Sequence, residues 1–237
     1  MKKRVKQVTF ALGFTLLLFI LTYQFTENRS WKSWNLPLSG KVIVLDPGHG
    51  GMDGGAVGSD GVLEKDISLD ISLKLRDYLQ EAGALVIMTR ERDKDLGNKD
   101  TGRIRARKWE DLRKRKEIIN GSNGDLYVSI HLNALPSSRW RGAQVFFNPA
   151  DKKGEAASKF IQNEIKRNLQ NTNRIAKSID GIYLMRTSKL PATLVEVGFL
   201  SNPNERELLK TKSYQHKVSA SVYQGILRYY TKEKIPD

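Results

Sequence analysis

The chain has no cysteine and only three histidines in 237 residues. The first absence excludes disulfides and thiolate metal sites. The second leaves His49, His131 and His216 as the whole supply of imidazoles, so a bound metal would need them together with Asp or Glu. Acidic residues are also short, at 26 Asp and Glu against 40 Lys and Arg, for a net charge of +14. Hydrophobic residues make up 39%, low but enough for one core at this length. There is no internal repeat and no helical HExxH pair. The glycines of 48–58 are not followed by Gly-Lys-Ser/Thr and fit no GxGxxG register, which argues against a phosphate-cradling loop.

Only one long apolar run exists. Lys2, Lys3, Arg4 and Lys6 precede it, and 20 uncharged residues separate Lys6 from Glu27. That is about the length of a helix that crosses a bilayer, and the basic flank places its N-terminal end in the cytoplasm. Residues 22–30 (TYQFTENRS) offer no small-x-small cleavage site, which favours an uncleaved anchor over a signal peptide. The expected division is a basic segment at 1–6, an anchor at 7–26, a linker at 27–40 and one catalytic domain at 41–231. The domain would then face outward, either anchored or, if the signal is cleaved, secreted.

A second charge concentration lies at 103–116 (RIRARKWEDLRKRK), with eight basic and two acidic side chains. It reads either as attraction to an anionic polymer such as wall glycopeptide or teichoic acid, or as a solvated helix face. Nucleic acid is not expected as a partner, because an exported domain seldom meets it.

Apolar spacing predicts strands at 41–46, 85–88, 126–130, 143–147, 182–185 and 193–197. Ile67, Ile71, Leu75, Tyr78, Leu79 and Ala82 recur at helical spacing, with Gly83 as the stop. A basic helix ends near Asn120-Gly121, Ala157, Ile161 and Ile165 mark another, and Val218, Val222, Ile226 and Tyr230 a closing one with Ser213 as N-cap. Strands alternating with helices predict an α/β sheet covered by helices on both faces.

Four residues with metal or proton chemistry fall at or near the expected strand ends: His49, Glu64, His131 and Glu196. Ligands of open α/β sheets bind beyond the carboxyl ends of strands, so the topology can bring all four to one edge. Two histidines and a carboxylate form a common catalytic zinc set with a fourth position for water. A second carboxylate can then move the proton. Glu196 lies in the apolar run TLVEVGFL, where a buried charge needs a partner or a function. Taken alone, His49 reads as readily as a turn residue bonded to backbone. His216, on the closing helix, is expected to be incidental.

The runs LDPGHGGMDGGAVG (45–58), LEKD (63–66), SIHLNA (129–134) and LVEVGFLSNPNE (194–205) resemble, in order, the N-acetylmuramoyl-L-alanine amidase family of catalytic type 3. The resemblance covers about residues 41–231 and is closest to the short, membrane-anchored amidases of spore-formers. It implies a twisted mixed sheet of about six strands. It also implies one Zn2+ held by His49, Glu64 and His131, with Glu196 as catalytic glutamate. The implied reaction hydrolyses the amide between the lactyl group of N-acetylmuramic acid and L-alanine in peptidoglycan, in the spore cortex and towards muramic lactam. Asn133 matches the family pattern and either hydrogen-bonds substrate or caps a turn. Arg115 occupies the arginine of the family's Leu-x-x-Arg-x-x-x-x-Asn helix and pairs with a substrate carboxylate, pairs with a structural carboxylate, or lies on the surface. Autoinhibited relatives carry a helical insert between the second histidine and the glutamate, and no such occluding helix is expected in 132–195. No wall-binding repeats flank the domain, so targeting falls to the anchor, the basic patch or a partner protein. Two other readings stay open: a zinc carboxypeptidase acting on stem peptides, and a non-catalytic wall-binding scaffold, which would require a damaged motif.

Overall fold

A computed structural model describes residues 2–27, 36–98, 100–231 and 233–236, with the side chains of Leu21 and of 24–27 outside that description. The chain divides into two compact units, Met1–Leu36 and Pro37–Asp237. Among its described residues the first holds one helix, α1 (Lys2–Glu27), with Phe10, Leu12, Leu16 and Phe19 exposed. The hydroxyls of Thr9, Thr15 and Thr22 donate back to the carbonyls of Val5, Ala11 and Leu18 one turn earlier, so their polar atoms are satisfied within the helix. Among the described residues no helix is long and apolar enough to cross a membrane. The uncharged run expected to do so includes positions whose side chains lie outside them. Most of the expected linker, 28–35, lies outside the described residues too.

The second unit is built on six strands: β1 (Val42–Pro47), β2 (Leu85–Met88), β3 (Leu126–Asn133), β4 (Gln144–Phe147), β5 (Lys177–Ser178) and β6 (Ala192–Phe199). They form one sheet in the order β2-β1-β3-β6-β4-β5. The first four of that order run parallel, and β4 is antiparallel to β6, so the sheet is mixed. The helices are α2 (Glu64–Glu81), α3 (Ile104–Gly121), α4 (Lys152–Leu169), α5 (Tyr183–Thr187), α6 (Pro203–Leu209) and α7 (Lys212–Tyr230).

Side-chain alternation along the strands sorts the core into two layers. Ile43, Leu45, Val128, Ile130, Val195 and Val197 pack with α2, α4 and α7. Val44, Tyr127 and Leu194 point the other way and pack with Ile119 of α3 and Leu184 and Met185 of α5. Both faces are therefore covered, as the alternating pattern predicts.

Two expectations are corrected. Residues 182–185 do not form a strand; α5 occupies them, with Arg186 N–H donating to the Ile182 carbonyl. Leu184 and Met185 are neighbours buried in the same layer, which a strand cannot arrange because it sends successive side chains to opposite faces. The last helix is capped by Thr211, whose hydroxyl accepts from Tyr214 N–H at 3.3 Å, while Ser213 already lies inside the first turn. Sequence spacing also passed over β5, two exposed residues without an apolar signal. It passed over α6, although Asn202-Pro203 followed by Glu205 is a helix-start signature.

Candidate metal centre

β1 ends in Pro47, and the chain turns through Gly48 into His49, which takes a left-handed φ of 61°. Such a conformation in a non-glycine residue needs support from its surroundings. Two buried arginines provide it: Arg90 donates to the carbonyls of Pro47 (3.0 Å) and Gly48 (2.8 Å), and Arg115 to those of Pro47 (2.8 Å) and His49. A side chain at position 48 is excluded, because a Cβ there would lie 2.4 Å from Cε1 of the His131 ring. Position 55 is equally restricted, since Gly55 has φ +71° and a Cβ would lie 2.5 Å from Glu64 Oε2.

His131 sits on β3 and Glu64 opens α2, so strand, turn and helix converge at the carboxyl edge of the sheet. His49 Nε2 lies 3.1 Å from Glu64 Oε2, and His131 Nδ1 lies 2.8 Å from Glu64 Oε1. The three donor atoms fall within 4.8 Å of one another. A tetrahedral ion with bonds of about 2.0–2.1 Å would hold its ligands roughly 3.3 Å apart, so the set fits a metal of zinc size. The carboxylate of Glu64 is fixed by backbone N–H groups of Ala56 (2.7 Å) and Leu132 (2.9 Å). Burial pushes Glu64 upward, but the two imidazoles outweigh it and hold the carboxyl well below its usual range. Burial pulls His49 down, yet its bonds to Asp53 and Glu64 raise it to about 9.

Asp53 is a residue that sequence reasoning missed. Its Oδ2 lies 2.8 Å from His49 Nδ1 and also pairs with Lys108 Nζ at 2.8 Å. A carboxylate on the far nitrogen fixes the ring's tautomer and turns Nε2 towards the metal position. The i+4 spacing from His49 was its only trace in the sequence.

Glu196 is the Cα partner of His131 across the parallel pair β3–β6, so both side chains project from the same face. The residue is part-exposed, but its Oε2 is sealed from solvent and has no hydrogen-bond partner. Burial raises its carboxyl to about 7; His131 and His49 oppose that rise and Glu64 adds to it. An orphaned oxygen next to three convergent donors is what a proton-transferring group beside a metal requires.

Arg115 is corrected from a surface or substrate-contacting role. It is 2% exposed, and its guanidinium reaches Asp46 Oδ1 at 2.6 Å and Asp111 Oδ2 at 2.8 Å. Asp46 in turn accepts from Thr89 (2.6 Å), Tyr127 (3.0 Å) and Ser129 (3.0 Å). Burial pushes Asp46 up, but Arg115 and Thr89 dominate and keep it ionised well below the usual range. The basic segment is thus only partly a solvated face: Arg107 pairs with Asp95 at 2.9 Å and Lys108 with Asp53, while Arg103, Arg105 and Arg113 are exposed. Asn133 ends β3 two residues beyond His131, and its carbonyl accepts from Leu200 N–H. His216 is exposed on α7 beside Tyr78 and does not join the cluster.

An α/β sheet that gathers two imidazoles and a carboxylate at one edge, with a second carboxylate poised near neutrality, is the constellation of a metal-dependent hydrolase. The family model for N-acetylmuramoyl-L-alanine amidase matches residues 43–228, and the chain belongs to that family. It is 56% identical over 236 residues to the germination-specific N-acetylmuramoyl-L-alanine amidase of Bacillus subtilis, covering 100% of this chain and 99% of the relative. Among solved structures it matches the CwlD amidase of Clostridioides difficile in complex with the GerS lipoprotein. That match has a TM-score of 0.80 at 43% identity, over 82% of this chain and 100% of the other. The amidase AmiC2 of Nostoc punctiforme matches with a TM-score of 0.71 at 29% identity, over 82% and 99%.

Proposed function

We propose that this amidase uses Zn2+ held by His49, Glu64 and His131, that Glu196 moves the proton, and that its substrate is spore-cortex peptidoglycan. The observation that carries the reading is the donor triad with the unpartnered Oε2 of Glu196 beside it. When bound, zinc would supply Lewis acidity, polarising the lactyl carbonyl and bringing a water's pKa to roughly 7.

The chain's own groups carry the remaining steps. Glu196 accepts a proton as the water oxygen bonds to the lactyl carbonyl carbon. It returns that proton to the alanine nitrogen as the C–N bond breaks, leaving a free carboxyl on the lactyl group and a free amine on the stem peptide. A carboxyl held near pH 7 suits both halves of that exchange. Asp53 keeps His49 oriented, and Arg115 with Arg90 holds the turn that carries it. Asn133 is assigned to substrate contact from its place two residues beyond His131.

The cortex assignment, leading to muramic lactam, is supported by the germination-specific relative. A partner protein is supported by the relative solved with a lipoprotein. The basic N-terminus and the uncharged run behind it support a membrane anchor with the catalytic unit outside the cytoplasm, between the forespore membranes.

The test is metal analysis of the purified chain, paired with mass spectrometry of digested cortex and vegetative wall. About one zinc per chain, whole stem peptides released and cortex preferred are expected. Release of D-alanine alone would make the enzyme a carboxypeptidase instead. Glu196→Gln is expected to keep its zinc and lose on the order of 10²–10⁴-fold in kcat; full activity in that variant would remove Glu196 from the mechanism.

A further inference from the structure

A cleft of about 750 Å³ lies in the catalytic unit apart from the metal centre. It opens between the loop before β4, the segment after α4, α6 and the start of α7, and its walls include Arg141, Asn171, Arg174, Asn204 and Tyr214. It nevertheless lies at the same edge of the sheet. α6 follows the carboxyl end of β6 directly, and β4 is antiparallel to β6, so the residues before β4 lie beside that end. Gln144 is the Cα partner of Glu196, and Gly142 and Arg141 are two and three residues further towards the edge. At a strand rise of about 3.3 Å per residue, Arg141 stands roughly 10 Å beyond the level of Glu196. Three residues of extended peptide cover that distance.

The charge in this cleft is arranged for an incoming anion. Arg174 is positioned before any ligand arrives: its guanidinium donates to the Gly142 carbonyl and lies over the Phe199 ring at 5.4 Å. Arg141 is exposed, and among the described residues neither arginine makes an ion pair within 4 Å. Glu205 also lines the cleft and feels the charge of both arginines, but it is buried and its oxygens already accept other hydrogen bonds. It accepts from Gly142 N–H at 2.9 Å, from Phe199 N–H at 2.9 Å and from Asn171 Nδ2 at 3.3 Å. Asn171 also donates to Tyr214 Oη at 2.8 Å, which braces the wall. Two guanidiniums share the field of the one carboxylate of Glu205, which leaves the cleft with a net positive charge, and with one guanidinium held in place they favour a carboxylate.

We infer that this cleft is the subsite for the stem peptide, with Arg141 and Arg174 binding a free carboxylate about three residues from the scissile amide. The inference rests on the amidase reading and adds to it how the enzyme recognises the peptide side of its substrate. The metal centre takes the bond to be cut, and the cleft sets which peptides are presented to it. An amidated or shortened stem peptide would lose that hold.

The experiment compares, with the full-length zinc-loaded chain, soluble muropeptides carrying free stem carboxylates and the same muropeptides with those carboxylates amidated. For the wild type, KM is expected to rise about tenfold on amidation, the weight of one charge-assisted hydrogen bond, with kcat little changed. Arg141→Gln and Arg174→Gln are each expected to reduce that KM ratio, and the double variant to bring it near one. Arg141→Gln is the safer variant, since Arg141 is exposed and forms no ion pair, and it keeps the test decisive should changes at Arg174 unfold the protein. A wild-type ratio near one overturns the inference while leaving the amidase reading intact. So does a ratio unchanged in Arg141→Gln. Failure to release stem peptides from either substrate would count against the amidase reading itself. Binding of the free stem tripeptide to Glu196→Gln, weakened by Arg141→Gln, would then decide the subsite separately.

Discussion

Glu64 and Glu196 show how one residue type acquires two roles from its surroundings. Glu64 accepts two backbone N–H groups and faces two imidazoles, so it stays ionised and suits a metal. Glu196 has a buried oxygen with no donor, so its proton is held more tightly. Asp53 belongs to the same scale: it touches His49 and no other group of the triad. Asp53→Ala is expected to weaken metal affinity about 10–100-fold while the fold persists. Competition with a chromogenic chelator measures this, and an unchanged affinity would mean that the His49 ring is oriented by its turn alone. Asp46 and Asp53 were both open to discovery from sequence. The argument that singled out Glu196 in TLVEVGFL applies equally to the aspartate ending KVIVLD. What the sequence did not reveal was that this aspartate is the carboxylate met by Arg115, 69 residues away.

At the scale of elements, the metal centre depends on how α3 locks β1. Arg115 crosses from α3 to the end of β1, neutralises Asp46 and fastens the carbonyls of the His49 turn. Arg115→Met would leave Asp46 buried without its cation, a loss of about 3–5 kcal/mol. Thermal melting should show it, and the variant should lose metal affinity as well, because the left-handed turn at His49 loses one of its two clamps. A variant with normal melting but impaired turnover would restore a substrate role for this arginine. Elements with a strong apolar period, such as α2, α4, α7 and the central strands, were legible in the sequence. α5 was not, because a five-residue helix shows too little periodicity to be told from a short strand.

For the whole molecule, two linked equilibria follow. Asp46 titrates well below its usual range when folded and near 3.9 when unfolded. Its contribution to stability is therefore complete above the unfolded value and is lost as pH falls through the folded one. Melting temperature should fall between about pH 4 and pH 2. Asp46→Asn should melt lower at neutral pH and show a shallower acid decline; an identical acid decline would place the sensitive group elsewhere. Metal binding is the second link. An ion at a thousand times its Kd adds about 4 kcal/mol to the native state. Chelation should then lower the melting temperature by on the order of 10 °C, reversibly on adding zinc back. An unchanged melting curve, with metal loss verified, would mean that the unfolded chain binds the ion as tightly as the native site does.

The sequence by itself determined the α/β alternation, the absence of thiolate chemistry and the four candidate residues for the centre. These are local or compositional properties: side-chain period, donor chemistry and ordered motifs can be read without knowing which segments meet. Only the tertiary structure decided which residues face one another. It placed Glu196 opposite His131 by strand register, gave Asp53 to His49 and buried Arg115 against Asp46. It also opened a cleft from segments that lie between Arg141 and Tyr214 in the chain. The physical reason is that burial and Coulomb fields depend on distance in space. A carboxylate becomes a ligand, a base or a structural anchor only when the fold has chosen its neighbours.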